Sequence, residues 1–369
     1  MSSDVIKSLT DPAVLFFFLG LVIGLIRSNL EIPQPITKFL SLYLLLALGF
    51  KGGQALGQTG VSGDAVKVVG AAVVLALAIP AVWFLFLRSR INAFDAAAIA
   101  ATYGSVSAVT FVVASQFLAN RGDEAGGYLT VALVLMESPA IIMAVLLATW
   151  VRSRQTQNSE IVEVGVQSHL SNKLASIDSR TLVPEAEHPS GQRGPEESGQ
   201  HASGPALSIK EVLREAFTDG AHLLLIGSMV IGAVSGDAGG EAMAPFTQGI
   251  FKGLLAFFLL EMGLLVARQL REVRDVGPFL IGFGLLVPFV NASAALVIGW
   301  MLDLSVGDLT LLAALASSGS YIVVPAVIRY AIPEARPSRY FTLALGVTFP
   351  MNVAIGIPVY YAVASAIAR

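Results

Sequence analysis

Cysteine is absent from the 369 residues, which excludes disulfides and thiolate metal sites. Charge is scarce as well. Asp, Glu, Lys and Arg make up 13% of the chain, about half the share of a soluble domain. With 55% hydrophobic residues and a mean hydropathy of +0.73, the chain has too little polar surface to cover a fold in water. Its solvent is a lipid bilayer. The net charge of −3 gives no basic excess for a nucleic-acid partner. Histidine is rare too: of four, His169, His188 and His201 lie in one polar stretch, and His222 opens an apolar one. No apolar stretch carries a Ser–His or metal-ligand arrangement, and there is no Walker motif. An enzyme and an ATP-driven pump are therefore poor readings.

Ten apolar stretches are long enough to cross a hydrocarbon core of about 30 Å. They fall near 12–29, 36–56, 65–87, 94–119 and 127–151, and near 217–235, 245–267, 276–301, 308–332 and 339–367. The run from Ala13 lacks a basic start and a small-residue cleavage site, so it reads as a first span and not a removable signal. Between the fives, residues 152–208 are rich in Ser, Gln, Gly, Pro and Glu. Such a segment cannot bury enough apolar surface to order itself, so a flexible linker is expected, with helical edges such as IKEVLREAF over 209–217.

Basic residues follow alternate spans: Arg27 and Lys38, Arg88 and Arg90, Arg152 and Arg154, then Arg268, Arg271 and Arg274, then Arg329, Arg336 and Arg339. The loops between them hold Asp123, Glu124, Asp237, Glu241 and Asp303. The positive-inside rule then puts both termini outside and the linker in the cytoplasm.

One motif occurs twice. Residues 95–107 read DAAAIAATYGSVS and residues 308–320 read DLTLLAALASSGS, 213 positions apart. Each begins with an acid and ends in Ser-x-Ser, Ser105 and Ser107 in the first, Ser318 and Ser320 in the second. YLTVAL at 128–133 and YFTLAL at 340–345 continue the register with one gap. A unit of five spans must be inserted upside down in its second copy, and inverted repeats are a signature of secondary transporters, with ligand sites near the midplane. The expected organisation is an all-α membrane protein of ten transmembrane helices: a first repeat over 1–151, a linker over 152–208 and an inverted second repeat over 209–369.

Depth supports a site. Each Ser-x-Ser begins ten residues after its acid, roughly 15 Å along a helix and half the hydrocarbon core. Gly104-Ser105 and Ser318-Gly319 allow the helices to break there. A break frees amides for an anion and carbonyls for a cation. The plainer alternative is that small residues let helices pack closely. Glu137 lies ten residues after Gly127, at similar depth, and an intramembrane carboxylate is functional by default. With a carbonyl freed by Pro139 and hydroxyls such as Ser138 and Thr110, it suits sodium; it equally suits a proton. Glu261 is a second mid-span acid, open to a helix–helix hydrogen bond or a place in the ion path. Asn291 and Asn352 read as helix–helix hydrogen bonds. Lys51 and Lys252, each in Phe-Lys-Gly but out of register, read as coincidence and as snorkelling near span ends.

GSVSAVTF (104–111), MESPA (136–140), SSGSYIVVP (317–325) and the ten-span layout resemble the sodium-dependent bicarbonate transporter family, the cyanobacterial-type permeases and their bacterial relatives. The resemblance implies a sodium-coupled symporter for bicarbonate in the bacterial inner membrane, working by alternating access. It needs no cofactor beyond sodium as coupling ion. It implies a core domain with two broken helices, a second domain that mediates assembly as a homotrimer, and a cytoplasmic PII-like regulator, here expected near Arg268, Arg271, Arg274 and the linker. Carried over by position, Gly104, Ser105, Val106, Ser107, Ser318, Gly319 and Ser320 would bind the anion, and Glu137, Thr110 and Ser317 would hold sodium. The chain departs from the cyanobacterial pattern at Ser320-Tyr321, where that group has an acid, and at Ala108-Val109, where it has smaller residues. The alternatives are a symporter of the same fold for another small anion or carboxylate, one coupled to protons through Glu137, a membrane receptor, and a passive channel.

Overall fold

A computed structural model describes residues 10–60, 63–175, 220–321 and 323–368, and all regular structure among them is helical. The elements are α1 (Pro12–Leu25), α2 (Gln34–Thr59), α3 (Gly63–Leu87), α4 (Ala93–Gly104), α5 (Ala108–Ala119) and α6 (Tyr128–Ala175), followed by α7 (Gly220–Ala244), α8 (Phe251–Glu272), α9 (Pro278–Met301), α10 (Val306–Ser317), α11 (Val323–Ala331) and α12 (Pro337–Ile367). Local chemistry sets several starts. Asp11 accepts from the Ala13 N–H ahead of Pro12, Asn92 accepts from Phe94, and Ser305 accepts from Asp308.

Among the described residues seven helical stretches are long and apolar enough to cross a membrane, and α1 and α10 are shorter apolar helices. The difference from ten has local causes. The helix near 12–29 stops at Leu25, and the one near 308–332 is broken into α10 and α11. Residues Gly220–Glu272 run as one 53-residue helical stretch, about 80 Å if straight and far more than one crossing needs. It is not straight: Gly236 has φ 58 and ψ −160, and a π turn spans Pro245–Gly249.

Two parallel helix pairs form a four-helix unit. Along α2 and α7, Gly49 faces Leu225 and Ser228, Gly53 faces Met229 and Gly57 faces Ala233. Along α1 and α8, Gly20 faces Leu260 and Gly24 faces Leu264 and Ala267. The numbers rise together in both pairs, so the helices run the same way. A Cβ at Gly53 would come within 1.9 Å of the Met229 carbonyl oxygen, so these pairs depend on a missing side chain.

The remaining helices form a second unit. α3 packs on α4 and α6, α9 packs on α10 and α12, and α4 and α5 lie against α11 and α10. α12 carries π turns over Thr342–Thr348 and Asn352–Gly356, a feature often found at functional sites.

The first edge of the linker is helical, since α6 continues past 151 to Ala175. Its sequence there, VRSRQTQNSEIVEVGVQSHLSNKLA, has one glycine and no proline, and a helix already nucleated in the membrane propagates through it. The lead-in at 209–217 lies outside the described residues.

Candidate substrate and ion site

Both duplicated motifs are breaks in a helix, built alike. α4 ends at Gly104 and Ser105 is extended, with φ −91 and ψ 179. Ser107 then caps α5, its Oγ accepting from the Thr110 N–H at 3.2 Å. α10 ends at Ser317 and Ser318 is extended, with φ −85 and ψ 161. Ser320 heads α11, its Oγ accepting from the Val324 N–H at 3.3 Å. Gly104 is demanded by close approach, since a Cβ there would lie 2.6 Å from the Pro80 ring.

Backbone groups freed by a break must find partners inside the protein, and the two breaks supply them to each other. The Ser107 N–H donates to Ser318 Oγ at 2.8 Å, and the Ser320 N–H donates to the Thr102 carbonyl at 3.0 Å. Asn352 Nδ2 donates to the Ser317 carbonyl at 3.1 Å and is itself oriented by the Tyr360 hydroxyl at 2.8 Å. Asn291 likewise bridges helices, accepting from Trp83 at 2.8 Å. Two buried hydroxyls stand out: Thr102 Oγ1 and Ser105 Oγ have no hydrogen-bond partner among the described residues.

A cavity of about 70 Å³ opens where the breaks meet, room for a small oxyanion or a few waters. The second unit contributes Val106, Ser107, Ser320, Tyr321 and Glu137 to it; the four-helix unit contributes Leu45, His222 and Leu225. Leu45 sits near the middle of α2, which puts Ser107, Ser320 and Glu137 level with the middle of that helix. The other site expectations fall behind this wall. Gly104, Ser105, Thr110, Ser317, Ser318 and Gly319 are not among its lining residues; Ser318, Ser317 and Thr110 instead join or cap the broken ends. Glu261 is buried on α8, does not line the cavity, and its Oε2 has no partner among the described residues.

His222 was not expected here. Its Nε2 bonds Glu137 Oε2, and both side chains are largely buried. This pair joins the two units at the cavity wall. The available signal was weak: a lone histidine at the start of an apolar run.

The motif acids have a reciprocal role. Asp95 on α4 accepts from the Arg336 N–H at 2.8 Å and pairs with Arg339 at 2.9 Å. Asp308 on α10 accepts from the Gly126 N–H at 2.8 Å and the Tyr128 hydroxyl at 2.6 Å. Each acid thus anchors a broken helix to the start of the last long helix of the other half.

Above the cavity the boundary between the units opens into two crevices of about 530 and 580 Å³. Lys51 and Lys252 both line the larger one. By sequence they read as unrelated lysines near span ends; α2 and α8 bring them to one crevice.

A family model described as the Na+-dependent bicarbonate transporter superfamily matches residues 12–365. The chain belongs to that superfamily. No individually curated protein matches it. For a member of the Na+-dependent bicarbonate transporter superfamily, the multi-pass helical architecture and the paired breaks agree with the family's membrane setting.

Proposed function

We propose that this superfamily member is a secondary active symporter that carries bicarbonate with sodium by alternating access. It is not an enzyme. The observation that carries the reading is the cavity at which both Ser-x-Ser motifs and Glu137 converge, on the boundary between two helical units. The starts of α5 and α11 turn toward that cavity. Helix N-termini and serine hydroxyls favour an anion there. The ends of α4 and α10, with Glu137 and the Thr110 and Ser317 hydroxyls behind them, favour a small hard cation. An anion and a cation bound together cancel charge, which eases movement of the loaded site through the bilayer.

Ten crossings as two inverted repeats, with interrupted helices at the midplane, suit the parallel α1–α8 and α2–α7 pairs. Consecutive spans joined by a short loop run oppositely, so these pairings are what a second half turned over relative to the first would give. The four-helix unit serves as the scaffold and, in this reading, the homotrimer contact. The basic face is cytoplasmic in a bacterial inner membrane, with both termini outside. Arg268 pairs with Glu31 at 3.2 Å and Arg271 donates to the Gly24 carbonyl at 2.8 Å, which gathers the ends of α1 and α8 on one face where a PII-like regulator would dock.

The Glu137–His222 pair favours a second reading, a proton-coupled symporter of the same fold for bicarbonate or another small carboxylate. Uptake of labelled bicarbonate into proteoliposomes, with and without a sodium gradient, decides. Sodium-dependent uptake that Glu137→Gln abolishes supports sodium coupling. Uptake that ignores sodium, follows a pH gradient and loses that response in Glu137→Gln supports the proton.

A further inference from the structure

The 580 Å³ crevice stands directly over the small cavity. Three helices show the stacking turn by turn. Leu45, Ala108 and Leu133 line the cavity, and Leu48, Phe111 and Thr130, one turn away on the same helices, line the crevice. Lys51 comes one turn further along α2, about 9 Å from Leu45. Lys252 lies in the first turn of α8 and shares the crevice.

The surroundings of Lys51 are short of negative charge. Its ammonium sits 4.6 Å from the centre of the Phe251 ring and is repelled by Lys252. No carboxylate of the described residues pairs with it. Lys252 is held by a neutral acceptor, Asn120 Oδ1, at 3.0 Å. Of the acids lining the crevice, Asp123 is engaged by the Tyr361 hydroxyl at 2.6 Å, and Glu124 is exposed at the rim. A ring face offsets only part of the cost of a half-buried ammonium, and a second ammonium raises it. An anion between them lowers it.

We propose that Lys51 and Lys252 form an outer anion site, which captures the small inorganic oxyanion before it descends past Leu48 and Phe111 to the Ser107–Ser320 cavity. This rests on the transport reading above. Lys252 meets the first broken helix only at Asn120, the far end of α5, and neither lysine reaches the Ser-x-Ser breaks, so they act on capture and not on translocation. Capture by charge is steep in ionic strength, whereas the inner step is not.

The test measures labelled bicarbonate uptake in proteoliposomes for the intact chain, Lys51→Gln, Lys252→Gln, the double variant and Lys51→Arg. At low ionic strength the double variant should raise KM about tenfold with kcat unchanged, and its KM should lose most of its salt dependence. Lys51→Arg should behave as the unaltered protein. An unchanged KM, or a kcat loss at constant KM, overturns the site. A second measurement needs no transport: amine acylation of Lys51 in the detergent-solubilised full chain, read by mass spectrometry, with bicarbonate or gluconate present. Protection by bicarbonate alone upholds the site even where uptake fails and the transport reading falls. Equal labelling in both overturns the site even where uptake is intact.

Discussion

The backbone N–H of Ser107 donates to the hydroxyl of Ser318 across 2.8 Å, so the break in one half of the chain is closed by the break in the other. Neither half can satisfy this group alone. The two copies of the motif therefore have to come together for either to be stable in a bilayer.

Ser318→Ala removes the acceptor and leaves the Ser107 N–H buried without a partner, a cost of about 1–3 kcal/mol. Thermal unfolding in detergent should show a clear fall in Tm, and bicarbonate uptake should be lost. Ser105→Ala is the contrast. Its Oγ has no partner among the described residues and lies behind the cavity wall, so Tm should hold, and a rise in the KM for bicarbonate would show that the anion reaches past that wall. A Tm loss in both variants equally would count against a ligand role for Ser105.

Asp95→Asn strips the charge from a buried carboxylate and strands Arg339, which costs about 3–5 kcal/mol for a buried pair. Asp308→Asn should cost less, about 1.5–3 kcal/mol, because its partners are a backbone N–H and hydroxyls rather than a cation. Unfolding curves of the two variants measure the difference directly.

Gly53→Ala drives a Cβ into the Met229 carbonyl and should destabilise by about 1–3 kcal/mol or more through overpacking of α2 on α7. Gly70→Ala, inside α3 with nothing within 4 Å of its Cβ position, should instead gain up to about 1 kcal/mol from helix propensity. The pair of measurements separates glycine used for close packing from glycine that is merely present.

Arg152 donates to both Glu334 oxygens at 2.8 Å and to the Ala331 carbonyl, tying the middle of α6 to the end of α11. Hydrogen bonding to Arg152 holds the Glu334 carboxyl below the ordinary carboxylate range. A lowered folded-state pKa stabilises above the unfolded value and is lost as pH falls through the folded one. Stability should therefore decline on acidification from about pH 5 downward, and Glu334→Gln should remove part of that decline. The part is small, because the pair is exposed and screened by water and salt.

Part of the candidate site was legible in the residues. Ser107, Ser320 and Glu137 were reached by counting turns from an acid or a glycine, because depth in a straight helix is linear in residue number. The breaks were legible because Gly-Ser pairs interrupt otherwise apolar runs. His222 was not, because a histidine at the start of an apolar run looks the same whether it faces water or a cavity. Its level was set by packing of α7 on α2, where Leu225 meets Gly49 and His222 lies near Leu45. The lysines failed for a related reason. Lys51 and Lys252 are out of register with the repeat, and only the adjacency of α2 and α8 makes them neighbours.

Composition, hydropathy and the duplicated motif by themselves determined that this chain is a helical membrane protein with two matched interruptions. Those properties follow from the solvent and from local backbone chemistry, which act on each segment independently. Tertiary structure alone decided which freed amide meets which hydroxyl, which helix supplies Glu137 with His222, and which crevice gathers the two lysines. Those are contacts between segments as many as 211 positions apart, as in the Ser107–Ser318 bond, and they exist only once glycine-lined helices have packed in one register.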